Sequence, residues 1–287
     1  IEALDSARHE VRLETYIFHF DATGDQVAAA LARAAERGAA VYLVMDAIGT
    51  PHVPQPWVRR FAKAGVRWRL FSPLGRWGLL LPIRWRRMHR KLCVVDQRIA
   101  FCGGINILDD HMDPYYGHQT SARFDFAVQA QGPLVADVHA VMARLWSHLP
   151  IDMLHRKSAS PQERSAGLGA LAGLVLRDNL RNRTRIERMY RKAIADARSE
   201  IVIANAYFLP GGKLRRSLIH AARRGVRVHL LLHGTYESFM QYHASRPVLG
   251  VLLKAGVEIY EYHAGFLHAK VAVVDGRWAT VGSSNLD

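Results

Sequence analysis

Apolar positions along the chain fall into two alternating periods. Short β-rich runs such as "EVRLETYIF" (10–18) and "KLCVVD" (91–96) contrast with "DQVAAALARAAERG" (25–38), where apolar residues recur at helical spacing and the run stops on Gly38. Taken in order, the first half predicts strand, helix, strand, helix, strand and then a strand pair. That succession makes an α/β unit with a largely buried sheet. Further helices are expected from about Pro133 to Leu149 and from about Arg183 to Ala197. The stretch "RKSASPQERSAG" (156–167) is polar, with Ser, Pro and Gly, and reads as a linker.

The plan occurs twice. "AAERGAAVYLVMD" (34–46) resembles "AARRGVRVHLLLH" (221–233), "KAGVRWRLF" (63–71) matches "KAGVEIYEY" (254–262), and "VRLETYIF" (11–18) resembles "IVIANAYFL" (201–209). An internal repeat of this length predicts two domains of one design. The expected division is 1–155, a linker over 156–175, and 176–287, with the second domain incomplete at its C-terminus. The chain starts inside a helical pattern and stops just after a strand, so the reading is of a piece of a longer protein.

The repeat also carries chemistry. "MHRKLCVVDQRIAFCGGINILD" (88–109) and "FLHAKVAVVDGRWATVGSSNLD" (266–287) share one spacing: His, any residue, Lys, four residues, Asp, six residues, Gly, two residues, Asn. On an extended strand His and Lys two apart project to the same face. His89 with Lys91 and His268 with Lys270 therefore each bring an imidazole and an ammonium to one place. Asn106 and Asn285 add amide donors after glycines that allow close backbone approach. Substitution at a phosphodiester needs a nucleophile, a proton for the leaving oxygen, and fixed positive charge for the transition state. The two copies supply all three, and this chemistry requires neither a metal nor a cofactor.

Composition narrows the partners. The 287 residues hold 49% hydrophobic and 22% charged positions, an ordinary globular balance, but 39 Lys and Arg stand against 25 Asp and Glu. The net charge of +14 predicts an anionic partner, which nucleic acid and acidic lipid surfaces satisfy equally. Cys93 and Cys102 lie in the first motif's apolar runs and read as buried thiols, not a disulfide framework. The longest apolar run, "LGALAGLVL" (168–176), is well short of the ~20 residues that a membrane span needs.

One difference between the halves bears on lipid. Phe71 and His89 are 18 positions apart, whereas Tyr262 and His268 are six apart. The excess lies in "SPLGRWGLLLPIRWRRM" (72–88), where Trp77, Leu80 and Trp85 stand among arginines. Such a segment suits a membrane interface and substrate entry. It suits equally well a surface flap whose leucines cover the domain junction.

The paired motifs resemble the phospholipase D superfamily. Within it, "RRMHRKLCVVD", "IAFCGGIN", "IANAYFLPG" and "WATVGSSNLD" are similar to the bacterial cardiolipin synthases that lack N-terminal membrane helices. The resemblance runs over nearly the whole chain. It implies two phospholipase D-like α/β/α repeats about a pseudo-twofold axis, with one active site at their interface and one chain sufficient for it. The implied reaction passes a phosphatidyl group from one phosphatidylglycerol to a second through a phosphohistidine, giving cardiolipin and glycerol. The implied setting is peripheral, at the cytoplasmic face of the bacterial inner membrane, with anionic phospholipids and no nucleic acid as partners.

The family pattern makes His89 the nucleophile and His268 the general acid and base, roles that could be exchanged. Lys91 and Lys270 become phosphate clamps, and Asn106 and Asn285 oxygen ligands. Ser283 adds a hydroxyl where the first copy has Gly104. Asp96 and Asp275 follow their histidines at an odd offset and read as structural partners of nearby cations. Asp125 is expected to accept from the other ring nitrogen of a motif histidine, and its counterpart in the second half is expected beyond Asp287. The loop 111–126 could line a lipid entrance, and its His111, Asp113 and His118 read as solvated residues in preference to a metal cluster. Three rival readings are a nuclease of the same superfamily, a lipid-hydrolysing phospholipase D, and a peripheral membrane protein without catalysis.

Overall fold

The structure, a computed structural model, describes residues 1–73, 87–113, 117–147, 170–176, 184–234 and 239–286. In chain order the first elements are α1 (Glu2–Asp5), β1 (Glu10–Thr15), α2 (Ala22–Glu36), β2 (Ala40–Asp46), α3 (Gln55–Ala64), β3 (Arg67–Phe71), β4 (Leu92–Val95) and β5 (Ile99–Gly103). A two-residue pair follows, β6 (Met112–Asp113) and β7 (Gly117–His118), then β8 (Ala127–Gln131) and α4 (Leu134–Ser147). The rest is α5 (Arg185–Asp196), β9 (Glu200–Asn205), α6 (Gly212–Arg223), β10 (Arg227–His233), α7 (Phe239–Lys254), β11 (Glu258–Tyr262), β12 (Lys270–Val274) and β13 (Trp278–Val281). Both helices expected from apolar periodicity at the ends of the halves are present as α4 and α5.

Two units result. The described residues of 1–109 and 128–175 form one, and those of 110–127 and 176–287 the other. The sequence-based division kept 110–127 with the first half; packing assigns it to the second.

The first unit's sheet runs β3-β2-β1-β4-β5-β8, with β1, β2 and β3 mutually parallel and β4 and β5 antiparallel additions. The second runs β11-β10-β9-β12-β13 with the same directions. Local signals set the connecting helices. Asp21 caps α2 by accepting from the Gly24 amide at 2.9 Å, a bond worth about 1 kcal/mol. Gly65 ends α3 in the left-handed region at φ 87°, where its amide donates to the Phe61 carbonyl at 2.9 Å.

Strands buried on one face carry the core. Val11, Leu13, Val41 and Leu43 pack with Leu31 of α2 and Phe61 of α3. In the second unit Ile201, Ile203, Val228 and Leu230 pack with Ile194, Leu214, Leu218 and Leu252. Each such side chain contributes roughly 1.5–3 kcal/mol when removed from water. Helix α4 covers the other face of the first sheet, setting Val135, Val138 and Met142 at helical spacing against Leu92, Val94 and Ala100. Cys93 and Cys102 are free thiols in β4 and β5, and burial pushes the Cys93 thiol up to about 12, which keeps it an unreactive core residue.

Candidate active site

Both histidine–lysine pairs lie at the entry to the first antiparallel strand of their unit, next to the end of the central parallel strand. The strands are shorter than the sequence pattern suggests: β4 begins at Leu92 and β12 at Lys270, so His89 and His268 stand on extended lead-in segments. Thr15 and Asn205, last in β1 and β9, mark the corresponding ends.

In the first unit Lys91 is buried and its Nζ lies 3.2 Å from Nε2 of His89 and 3.4 Å from the His89 carbonyl. The Tyr16 ring packs against the His89 ring with centroids 5.0 Å apart, and the Lys91 ammonium sits 5.3 Å from the Tyr16 ring centre. Asn106 is buried, and its Oδ1 accepts from the Ile17 amide at 3.2 Å, which ties the Gly-x-x-Asn loop to the end of β1 and leaves Nδ2 as the donating atom.

Between His89 and Lys91, Arg90 points to the opposite face. It meets Glu14 of β1 at 2.9 Å, and Glu14 is fully buried. Burial raises the Glu14 carboxyl above its usual range, and Arg90 opposes the rise. The second unit places Ala204 and Ala269 at the matching positions, buried together with Leu267. One repeat thus uses an ion pair where the other uses a small apolar contact.

In the second unit Nδ1 of His268 lies 2.7 Å from Oδ2 of Asp125, whose side chain is only 4% exposed. The pair is assembled by backbone bonds: the Phe124 amide donates to the Phe266 carbonyl at 2.8 Å and the His268 amide to the Phe124 carbonyl at 2.9 Å. Asp125 therefore serves the second motif, although it precedes the linker. Lys270 is buried, donates to the His268 carbonyl, and is held down to about 7 by burial, with Asp125 opposing and Arg123 reinforcing that shift. Ser283 and Asn285 are half-buried on the segment after β13, beside Leu286, which bridges to Phe208.

Asp96 and Asp275 differ from expectation. They accept hydrogen bonds from backbone amides and one hydroxyl: Asp96 accepts from the Arg8, His9 and Glu10 amides, each at 2.8 Å, and Asp275 accepts from the Arg198, Ser199 and Glu200 amides at 2.8, 2.9 and 2.8 Å and from the Ser199 hydroxyl at 2.8 Å. The reason is that β4 and β12 end one residue earlier and the chain turns. Asp96 and Gln97 lie at φ 49° and 53°, and Asp275 and Gly276 at φ 52° and 63°. Three amide donors outweigh burial in lowering the Asp96 carboxyl, and the Glu200, Arg198 and Ser199 amides lower that of Asp275.

The described residues of the loop 111–126 are also more structured than the sequence suggested. His111 and His118 stack across the β6–β7 pair at 6.1 Å, while Asp113 is buried against Arg123 at 3.3 Å. Trp77, Leu80 and Trp85 lie outside the described residues.

Two repeats of this topology, each delivering one His-Lys pair, define a phospholipase D-like protein. The family model for the PLD-like domain of cardiolipin synthase matches residues 1–146 and 190–287. Cardiolipin synthase B of Salmonella typhi is 41% identical over 290 residues, covering all of this chain and 69% of the relative. That of Escherichia coli K12 is 39% identical over 287 residues with the same coverage. The phosphatidylserine synthase of Haemophilus influenzae Rd KW20 superposes with a TM-score of 0.67 at 13% identity, over all of this chain and 75% of that one, a likeness of fold. The chain belongs to the cardiolipin synthase family of PLD-like proteins.

Proposed function

We propose that this chain is the catalytic part of a cardiolipin synthase, a phosphatidyltransferase that joins two phosphatidylglycerol molecules and releases glycerol. The observation that carries the assignment is the buried Asp125 carboxylate on Nδ1 of His268, beside Lys270, in a chain about 40% identical to cardiolipin synthase B. A carboxylate on one nitrogen fixes the tautomer and stabilises the imidazolium, which suits His268 to carry a proton on Nε2.

In this reading Nε2 of His89 attacks the phosphorus of one phosphatidylglycerol. The P–O bond to its glycerol breaks, and His268 donates its proton to the departing oxygen. The hydroxyl of a second phosphatidylglycerol then gives its proton to His268 and attacks phosphorus. The P–N bond breaks, cardiolipin leaves and both rings return to their starting forms. Lys91 and Lys270 hold the non-bridging oxygens, with Asn106, Asn285 and Ser283 as further ligands. The net charge of +14 supports a peripheral seat on an anionic membrane surface, at the cytoplasmic face of the bacterial inner membrane. No helix of the described residues is long and apolar enough to cross a membrane.

The test is mass spectrometry of products after the full-length protein meets phosphatidylglycerol vesicles. Cardiolipin and glycerol should appear in equal amounts, and His89→Asn and His268→Asn should each lower turnover by about 10³-fold or more. Phosphatidic acid as the sole product, or plasmid cleavage without any lipid product, would overturn the assignment.

A further inference from the structure

Each motif histidine stands on a lead-in segment outside the named strands of its sheet, and in the second unit the His268 amide is already tied to the Phe124 carbonyl at 2.9 Å. In both units a side chain at the same place in the repeat adds an anchor one residue before the ring. The Met88 amide donates to Oδ2 of Asp46 at 2.7 Å, and the Leu267 amide donates to Nδ1 of His233 at 3.3 Å. Asp46 is the last residue of β2 and His233 the last of β10. Their ladder partners, Phe71 and Tyr262, end β3 and β11. Met88 and Leu267 each immediately precede the motif histidine.

The two side chains differ in chemistry but not in reach. A carboxylate oxygen of Asp and Nδ1 of His are both bonded to Cγ, so both acceptors stand at the same distance along the side chain. Asp46 is fully buried, and its other oxygen accepts from the Ile48 amide at 2.9 Å. Its carboxyl is raised by burial, with the Met88 and Ile48 amides opposing the rise. His233 is held below the usual imidazole range by burial and then by His263, which favours the neutral ring whose Nδ1 can accept. The same ring packs on Phe266 at 4.8 Å, and Phe266 stacks on His268 at 6.0 Å.

We propose that Asp46 and His233 are positioning residues for the two reacting imidazoles, each anchoring the backbone amide one residue before the ring through a side-chain acceptor. The proposal rests on the catalytic roles given above to His89 and His268. Small displacements of a reacting group cost on the order of 10²-fold in rate, so an anchor one residue away acts on kcat and hardly on substrate binding.

The test uses the full-length protein on phosphatidylglycerol vesicles. His233→Leu fills similar space without an acceptor and should lower kcat about 10- to 100-fold with KM changed by less than about twofold. His233→Asn restores an acceptor on Cγ and should recover most of the lost kcat. Hydrogen exchange read by mass spectrometry on a peptide covering 264–270 should be faster in His233→Leu and near wild type in His233→Asn. Asp46→Asn, which keeps one of two acceptors and is gentler than an apolar replacement, should speed exchange in a peptide covering 86–90. Unchanged kcat and unchanged exchange in His233→Leu, with turnover abolished in His268→Asn, would overturn the anchor alone. Turnover persisting in His268→Asn would overturn the catalytic reading and the proposal with it.

Discussion

Asp125 and Lys270 give His268 a neighbourhood of opposed charges, and each can be tested alone. Asparagine at 125 keeps the shape of the carboxylate but cannot stabilise an imidazolium, and its amide nitrogen favours the wrong tautomer. Asp125→Asn should lower kcat by about 10²- to 10⁴-fold while the thermal unfolding midpoint changes little, as checked by product formation and circular dichroism. Lys270 illustrates a stability cost. Its folded value of about 7 lies below the unfolded value of 10.5, so between these the unfolded chain binds more protons and stability rises with pH. The full penalty applies below about 7. Lys270→Met should abolish turnover, raise the denaturant midpoint at pH 6, and flatten its climb between pH 7 and 10, as measured by urea titration across that range.

At the scale of elements, the motif aspartates belong to hairpins. Each hairpin has three residues between the paired ends, Val95 and Ile99 or Val274 and Trp278, and the β-turn within it takes positive φ at both central residues, which Asp-Gly satisfies most cheaply. Asp275-Gly276 follows that rule, whereas Asp96-Gln97 forces a long side chain to φ 53°. Arg98 and Arg277 close the two turns by donating to the Val95 and Val274 carbonyls, each at 3.0 Å. Gln97→Gly should therefore relieve strain of roughly 1 kcal/mol, partly offset by the greater backbone entropy of glycine in the unfolded chain. The measurement is a thermal melt, in which the variant should unfold at or above the wild-type temperature; a clear drop would contradict the strain argument. The aspartate of each turn then reaches back to the amides of the two residues ahead of β1 or β9 and of that strand's first residue, so a motif residue after β4 or β12 organises the start of the neighbouring parallel strand.

At the scale of the molecule, duplication decided what could be read in advance. Two copies of one string exposed the strand–helix order, the strand pair that closes each sheet and both His-Lys pairs, because each signal is local and periodic; the antiparallel direction of that pair is a finding of the structure. The owner of Asp125 was not legible, since it depends on which unit the segment 110–127 joins, a matter of tertiary packing. Asp96 and Asp275 were misread because counting alternation assumes a strand that continues, and the strands stop at Val95 and Val274. Asp46 and His233 stood aligned at the ends of matching strings, but dissimilar residue types hid their shared function as acceptors. The Glu14–Arg90 pair interrupts no pattern that would flag it, being a charge inside a β-rich run. The placement of 110–127 reaches further than assignment. A break in the chain between Asp109 and Asp110 would leave the carboxylate with the piece that carries His268, whereas a break at the expected linker would strip that ring of its acceptor.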